Sequence, residues 1–369
     1  MFGEFLDEIK AHHAKNLPFA AYRMPKEQQV VALLQEDDAV HHLTNFTTSG
    51  FVFAPFDNDR PTLLLHSDQR LTARFDVVET DEKERLSFEV DTTSKSTYID
   101  LVNRAIEKIK EDELEKVVLS RKVEVICTLS PLVLFQRLLE QYQNAFCYLW
   151  YHPKVGTWLG ATPEILMKSE NQRLTTMSLA GTQKYNALVP ANWGAKELEE
   201  QELVTRYIAS VLKDKVTNLD IGERETIQAG TLLHLRTKLV AIYEKGNLGA
   251  LVKALHPTPA VCGMPMALSK KFIAANEAYD RSYYTGFLGE LNTRIEKRPS
   301  GRKRNQENRA YVSFMEQTIF FVNLRCMQLQ DDTAIVYVGG GITKDSNAEL
   351  EWEETIAKTN TMLQVLAPQ

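Results

Sequence analysis

The sequence predicts a mixed α/β protein, on three observations. Runs rich in β-branched and aromatic residues recur along the chain, among them Phe146-Cys147-Tyr148-Leu149-Trp150-Tyr151 and Ala334-Ile335-Val336-Tyr337-Val338. Stretches with apolar residues at helical spacing lie between such runs, as with Ile99, Val102, Ile106 and Ile109. No internal repeat, low-complexity tract or clean interdomain linker divides the 369 residues, a length that allows one large domain or two ordinary ones.

Residues 1 to 95 mix a helical start with short strands at Phe51–Phe56 and Thr62–His66. The pairs His12-His13 and His41-His42 read as surface or core histidines, because adjacent side chains diverge on either a helix or a strand. Thr97–Lys110 is a predicted helix and Leu114–Val125 a strand with Lys116 at its beginning. Such a lysine is either a surface residue or, if buried, an amine driven toward its neutral, basic form. A helix over Pro131–Tyr142 and strands over 146–151 and 157–160 follow. Glu164 comes directly after Pro163 in apolar surroundings: either a surface turn residue, or a half-buried carboxyl with the raised pKa of a general acid.

Leu179-Ala180-Gly181-Thr182 reads as a turn whose amides and hydroxyl suit a carboxylate. A long helix from about Asn192 to Lys213 carries Glu197, Glu199, Glu200 and Glu202: a solvated cluster, or one with some of its acids turned inward. His234 stands alone in an apolar strand, and Leu255–Pro265 is a proline-stiffened turn that opens a helix. Asp280–Gly289 returns to strand, and Arg294–Arg309, with seven lysines or arginines, reads as a solvated hairpin loop. Phe314–Leu329 is strand again, with Arg325 embedded in it; a buried arginine needs a partner, for which a substrate carboxylate is suitable. Last, Ala334–Val338 breaks into Gly339, Gly340 and Gly341 before the acidic helix Ala348–Lys358. Glu351 and Glu354 share a helix face with Lys358 one turn on: a solvated acidic helix, or carboxylates gathered for a hard divalent cation such as Mg²⁺.

A net charge of −6 argues against a general nucleic-acid binder, so an anionic substrate needs local cations. The scattered Cys127, Cys147, Cys262 and Cys326 have no CxxC spacing and read as buried thiols in a reducing compartment. The acidic, amphipathic N-terminus lacks a signal-peptide apolar core, and no run reaches the roughly 18 apolar residues of a membrane span. The expectation is a cytoplasmic protein that engages neither membrane nor nucleic acid; the sequence is silent on oligomeric state.

In order along the chain, Lys116-Val117-Val118-Leu119-Ser120-Arg121, Gly160-Ala161-Thr162-Pro163-Glu164, Leu179-Ala180-Gly181-Thr182, Glu200-Gln201-Glu202-Leu203-Val204, Leu233-His234-Leu235, His256-Pro257-Thr258-Pro259-Ala260, Arg325-Cys326, Gly339-Gly340-Gly341-Ile342 and Glu351-Trp352-Glu353-Glu354-Thr355 resemble the motifs of the chorismate-utilising enzymes. The resemblance spans roughly residues 97–365 and is greatest to the isochorismate synthase branch. It implies an α/β fold of the α+β type, in which large antiparallel sheets enclose the site and helices pack outside. It also implies one chorismate-binding catalytic domain over 1–369, residues 1–95 being its less distinct portion.

Carried over position by position, the resemblance makes Lys116 the general base that activates water and Glu164 the general acid that protonates the departing hydroxyl. Glu200 and Glu354 resemble Mg²⁺ ligands, with Glu351 and Glu197 close to the metal. Gly181, Thr182, Arg325 and Gly339 match positions that hold substrate carboxylates, and His234 and Lys358 match residues lining the site. The implied reaction is Mg²⁺-dependent isomerisation of chorismate to isochorismate, for menaquinone or siderophore biosynthesis. Ala180, where aminodeoxychorismate synthases have a nucleophilic lysine, and Lys116, absent from anthranilate synthases, speak against those branches. Salicylate synthases share Lys116 but tend to have threonine where Ala260 stands. The rival readings are a salicylate synthase and, from a different class, an inactive chorismate-binding regulatory protein.

Overall fold

The computed structural model describes residues 1–76, 92–187, 190–229, 232–297 and 313–367. The first elements are α1 (Phe2–His13), β1 (Phe19–Arg23), β2 (Gln29–Leu34), β3 (Gly50–Ala54), β4 (Leu63–Leu65) and β5 (Gln69–Arg74). Then come α2 (Thr92–Lys110), β6 (Lys116–Ile126), α3 (Pro131–Gln141), β7 (Phe146–His152), β8 (Gly156–Thr162), β9 (Ile165–Glu170), β10 (Arg173–Lys184) and α4 (Ala195–Leu212). The chain continues through β11 (Asn218–Ala229), β12 (Leu232–Ile242), α5 (Leu248–Leu255), β13 (Gly263–Met264), α6 (Met266–Asn276) and β14 (Phe287–Lys297). It ends with β15 (Ser313–Val322), β16 (Cys326–Gln330), β17 (Thr333–Ile342) and α7 (Ala348–Leu366).

These strands form two sheets. One has nine strands in the order β13-β6-β17-β16-β8-β7-β1-β2-β5; the other has eight, β11-β12-β10-β9-β15-β14-β3-β4. Every strand pairing among the described residues is antiparallel, from the long β6–β17 ladder to β1 against β7. The period of two along each strand decides what packs where. On β1, Ala20 and Tyr22 join Phe51, Phe53, Leu288 and Phe321 of the other sheet in a core between the sheets. Phe19 and Ala21 point the other way, to Phe5, Ile9, Leu134 and Leu363 of the helices α1, α3 and α7. Helices α4 and α5 cover the outer face of the second sheet with Val204, Ile208, Leu251 and Leu255. The antiparallel sheets with helices outside are thus as the resemblance implies. Strands before residue 95 belong to both sheets, β1 between β7 and β2, and β3 between β14 and β4.

Local chemistry fixes the helix that matters most for the site. Asn347 caps α7 by accepting from the Glu349 and Leu350 amides, and Glu349 and Glu351 in its first turn suit the positive end of the helix dipole. At the other end Arg137 donates to the carbonyls of Val365 and Ala367.

Three segments differ from the sequence reading. Leu179–Thr182 is not a turn: it lies within β10, as a bulge against β12 between Ala180 and Gln183, with Gly181 at φ 74°. Phe314–Leu329 is two strands in different sheets, and Arg325 sits in the crossing between them at φ 47°. Asn323 makes that break: its side chain accepts from Tyr148 Oη and donates to the Tyr283 carbonyl, replacing ladder partners. Likewise strand begins only at Phe287, the preceding Asp280–Gly286 being a turn held by Arg281. Most of the basic Arg294–Arg309 stretch, from residue 298 on, lies outside the described residues. All four cysteines are buried and unpaired, and among the described residues no helix is long and apolar enough to cross a membrane.

Candidate active site

One cavity of about 180 Å³ lies where β6, β10, β12, α4, β17 and α7 meet the β15–β16 crossing. Of the residues singled out from the sequence, Lys116, Glu164, Gly181, Glu197, Glu200, His234, Ala260, Arg325, Gly339, Glu351, Glu354 and Lys358 all line it. The side chain of Thr182 lies outside the described residues.

Lys116, first residue of β6, is 2% exposed and donates to Glu200 Oε1 at 2.6 Å. Of the two readings of Lys116, surface residue or buried amine, the structure has it buried, and it shares that burial with a carboxylate. Glu164 follows β8, with its N–H donating to Thr162 Oγ1 at 3.3 Å. Burial pushes its carboxyl up to about 7, against the pull of Lys116, Arg325 and Lys358. Of the two readings of Glu164, surface turn residue or half-buried carboxyl, the structure favours the second and goes further, burying it.

The β10 bulge turns Gly181's carbonyl toward β12, where it receives a hydrogen bond from His234 Nδ1 at 2.9 Å. Burial holds the imidazole down to about 4, so it is neutral at physiological pH, with Nδ1 carrying the proton. Nε2 is buried with no hydrogen-bond partner among the described residues. The Arg325 carbonyl accepts from the Ala161 amide at 3.0 Å, but its guanidinium has neither a hydrogen bond nor a salt bridge among the described residues, and burial lowers its proton affinity. A partly buried guanidinium facing a cavity is a site for a carboxylate.

The acidic wall comes from two helices. On α4, Glu197 and Glu200, three apart and so on one face, face the cavity, whereas Glu202 turns away and pairs with Arg224 at 2.6 Å. On α7, Glu351 and Glu354 face inward, with Lys358 bridging Glu354 at 2.7 Å and the Gly339 carbonyl at 2.9 Å. The helix is thus not simply solvated. The β17 glycines make room for both walls: a Cβ on Gly341 would lie 2.9 Å from Lys116 Cε and 3.0 Å from Glu200 Oε1, and one on Gly340 3.4 Å from Glu351 Oε2. Four carboxylates beside side-chain-free backbone are a donor set suited to a hard, oxygen-seeking cation. As they stand, no three acidic, histidine or cysteine side chains among the described residues converge on one metal position, and two of the four acids are held by lysines.

Tyr284, Thr285, Tyr337 and Leu324 also line the cavity and were not singled out from the sequence. Aromatic and β-branched residues near strands look like ordinary core, and nothing in their spacing sets them apart.

Residues 56–296 match the model of a family described as chorismate binding enzyme, and residues 309–364 match a second model of the same description. The chain belongs to the chorismate-binding enzymes. Among its curated relatives, the isochorismate synthase EntC of Escherichia coli (strain K12) is 28% identical over 288 residues, 73% of this chain and 67% of EntC. The isochorismate synthase MenF of Haemophilus influenzae is 27% identical over 290 residues, 75% of this chain and 62% of that one. The fold recurs in MenF of Escherichia coli (TM-score 0.73, 20% identity, 95% of this chain and 89% of that chain). It recurs also in anthranilate synthase component I of Streptococcus pneumoniae (TM-score 0.65, 17% identity, 93% of this chain and 89% of that chain), so fold alone does not separate the two chemistries.

Proposed function

We propose that the protein is a Mg²⁺-dependent isochorismate synthase, acting in the cytoplasm as one catalytic domain over residues 1–369. The observation that carries this reading is the meeting of Lys116 on β6 and Glu164 in the β8–β9 link as buried groups of one cavity that also holds Arg325. An amine and a proton-bearing carboxyl are what water addition at C2 with loss of the C4 hydroxyl requires. The EntC and MenF names and the absence of a lysine at Ala180 support the same branch. The interleaving of the first five strands into both sheets supports a single domain.

In this reading Arg325 and the backbone about Gly181 and Gly339 bind chorismate's carboxylates, and Lys358 adds charge beside Gly339. Lys116 takes the proton of a water as the oxygen bonds C2. The ring double bonds shift, and Glu164 gives its proton to the C4 hydroxyl, which departs as water. Glu200 and Glu354, with Glu351 and Glu197 beside them, would hold Mg²⁺, which when bound offsets negative charge at the substrate carboxylate. Neutral His234 offers its unpartnered Nε2 as an acceptor for a substrate hydroxyl.

The test is product identification by chromatography after incubation of the purified protein with chorismate and Mg²⁺. Isochorismate is expected. Anthranilate formed with ammonia, salicylate with pyruvate, or binding without turnover would each replace the proposal.

A further inference from the structure

Strand β6 carries Lys116 and Val118 into the cavity, yet its outer neighbour β13 pairs with only Lys116 and Val117. Just past β13 the Val118 amide still donates to the Cys262 carbonyl at 2.9 Å; beyond it the Val118 carbonyl and the Ser120 amide would face the interior bare, each costly to leave unpaired. A buried ion pair takes over where β13 stops. The side chains of Glu277 and Arg281 are 1% and 2% exposed and bridge at 2.5 Å. Glu277 Oε1 accepts from the Ser120 amide and Oγ, both at 2.8 Å, and Arg281 Nη2 donates to the Val118 carbonyl at 2.7 Å. Arg281 Nη1 donates to the Val261 carbonyl at 3.0 Å and to Thr285 Oγ1 at 3.5 Å. One guanidinium–carboxylate pair therefore ties together three separate cavity-lining segments: the start of β6, Ala260–Val261, and Tyr284–Thr285.

The geometry points to Glu277 and Arg281 as positioning residues that hold the Lys116 wall of the cavity at its working distance from Glu164. This rests on the function proposed above. Neither residue lines the cavity. Gly181, Arg325 and Lys358 sit on β10, the β15–β16 crossing and α7, none of which the pair's hydrogen bonds reach. Loosening the pair thus displaces the base while leaving Gly181, Arg325 and Lys358 in place to bind the substrate's carboxylates.

The test uses the full chain with Glu277→Gln and Arg281→Lys, each read by steady-state kinetics, thermal melting and amide hydrogen exchange of the peptide holding residues 116–120. A variant that is folded at the assay temperature should lose about tenfold or more in kcat, as small misplacements of catalytic groups do, with KM within about threefold. Exchange across residues 116–120 should quicken while β10 and β12 stay protected. Should both variants fail to fold, Ser120→Ala, which removes one hydrogen bond to Glu277, must lower kcat with KM unchanged. Wild-type kcat in any folded variant, or a loss expressed wholly in KM, would overturn the proposal. Wild-type protein that makes no isochorismate would instead count against the function, and the exchange result would still report whether the pair anchors β6.

Discussion

Glu164→Gln separates the physics of the buried carboxyl from its chemistry. In the folded protein its proton affinity corresponds to about 7 against an ordinary 4.5, with desolvation the dominant cause. At 1.36 kcal/mol for each tenfold change, keeping Glu164 buried at a pH where the unfolded chain would ionise it costs about 3 kcal/mol. Its folded-state affinity is raised, so the stability linked to the proton is fully present below pH 4.5. It is lost as pH rises through 7, and the loss is complete above that. Glutamine has nearly the same shape and no such titration. Urea unfolding at pH 4 and pH 8.5 should therefore show the variant gaining on wild type with rising pH, by up to about 3 kcal/mol. The other buried glutamate raised to about 7, Glu290, is present in both proteins and drops out of the difference. Meanwhile turnover should fall by about 10²–10⁴, the usual worth of a general acid. A stability gap that stays constant between those pH values would refute the burial argument, whatever happened to activity.

Wild-type kcat should decline as pH rises through about 7, following Glu164 deprotonation; a profile flat from pH 6 to 9 would exclude that carboxyl as the proton donor. Lys116→Ala should abolish turnover in a folded protein, measured by isochorismate formation alongside circular dichroism. Glu354→Ala, which also frees Lys358, should shift the Mg²⁺ dependence of turnover to higher concentration, and an unchanged metal titration would remove Glu354 from the ligand set. Gly341→Ala places a methyl 2.9 Å from Lys116 Cε, so kcat should fall with little loss of stability because the crowded atoms end flexible side chains.

Much of the site was legible because its chemistry sits in short local motifs. The i, i+3 spacing of Glu351 and Glu354 does put both on one helix face, and resemblance placed Lys116, Glu164 and Arg325 together before any coordinates did. What the sequence concealed depends on distant partners. Leu179–Thr182 looks like a turn because glycine and threonine favour one; pairing with β12 on its other side makes it a bulge instead. The apolar run from Phe314 to Leu329 hides its break because Asn323 is satisfied by Tyr148 and Tyr283, residues far away in sequence. Tyr284 and Tyr337 stack on each other at 5.3 Å and line the cavity, but in sequence they are indistinguishable from core aromatics. The sequence leaves Lys116 as either a surface residue or a buried amine, and does not show its partner Glu200, which lies on α4 far along the chain.

The three glycines of β17 work as a window cut through a wall. Because Gly339, Gly340 and Gly341 present no side chains, acids rooted in a helix of the outer layer reach an interior chamber from behind the sheet. The charge lining that chamber can therefore be rewritten from outside, by exchanging residues along α7, while the interlocked aromatic centre between the sheets stays as it is.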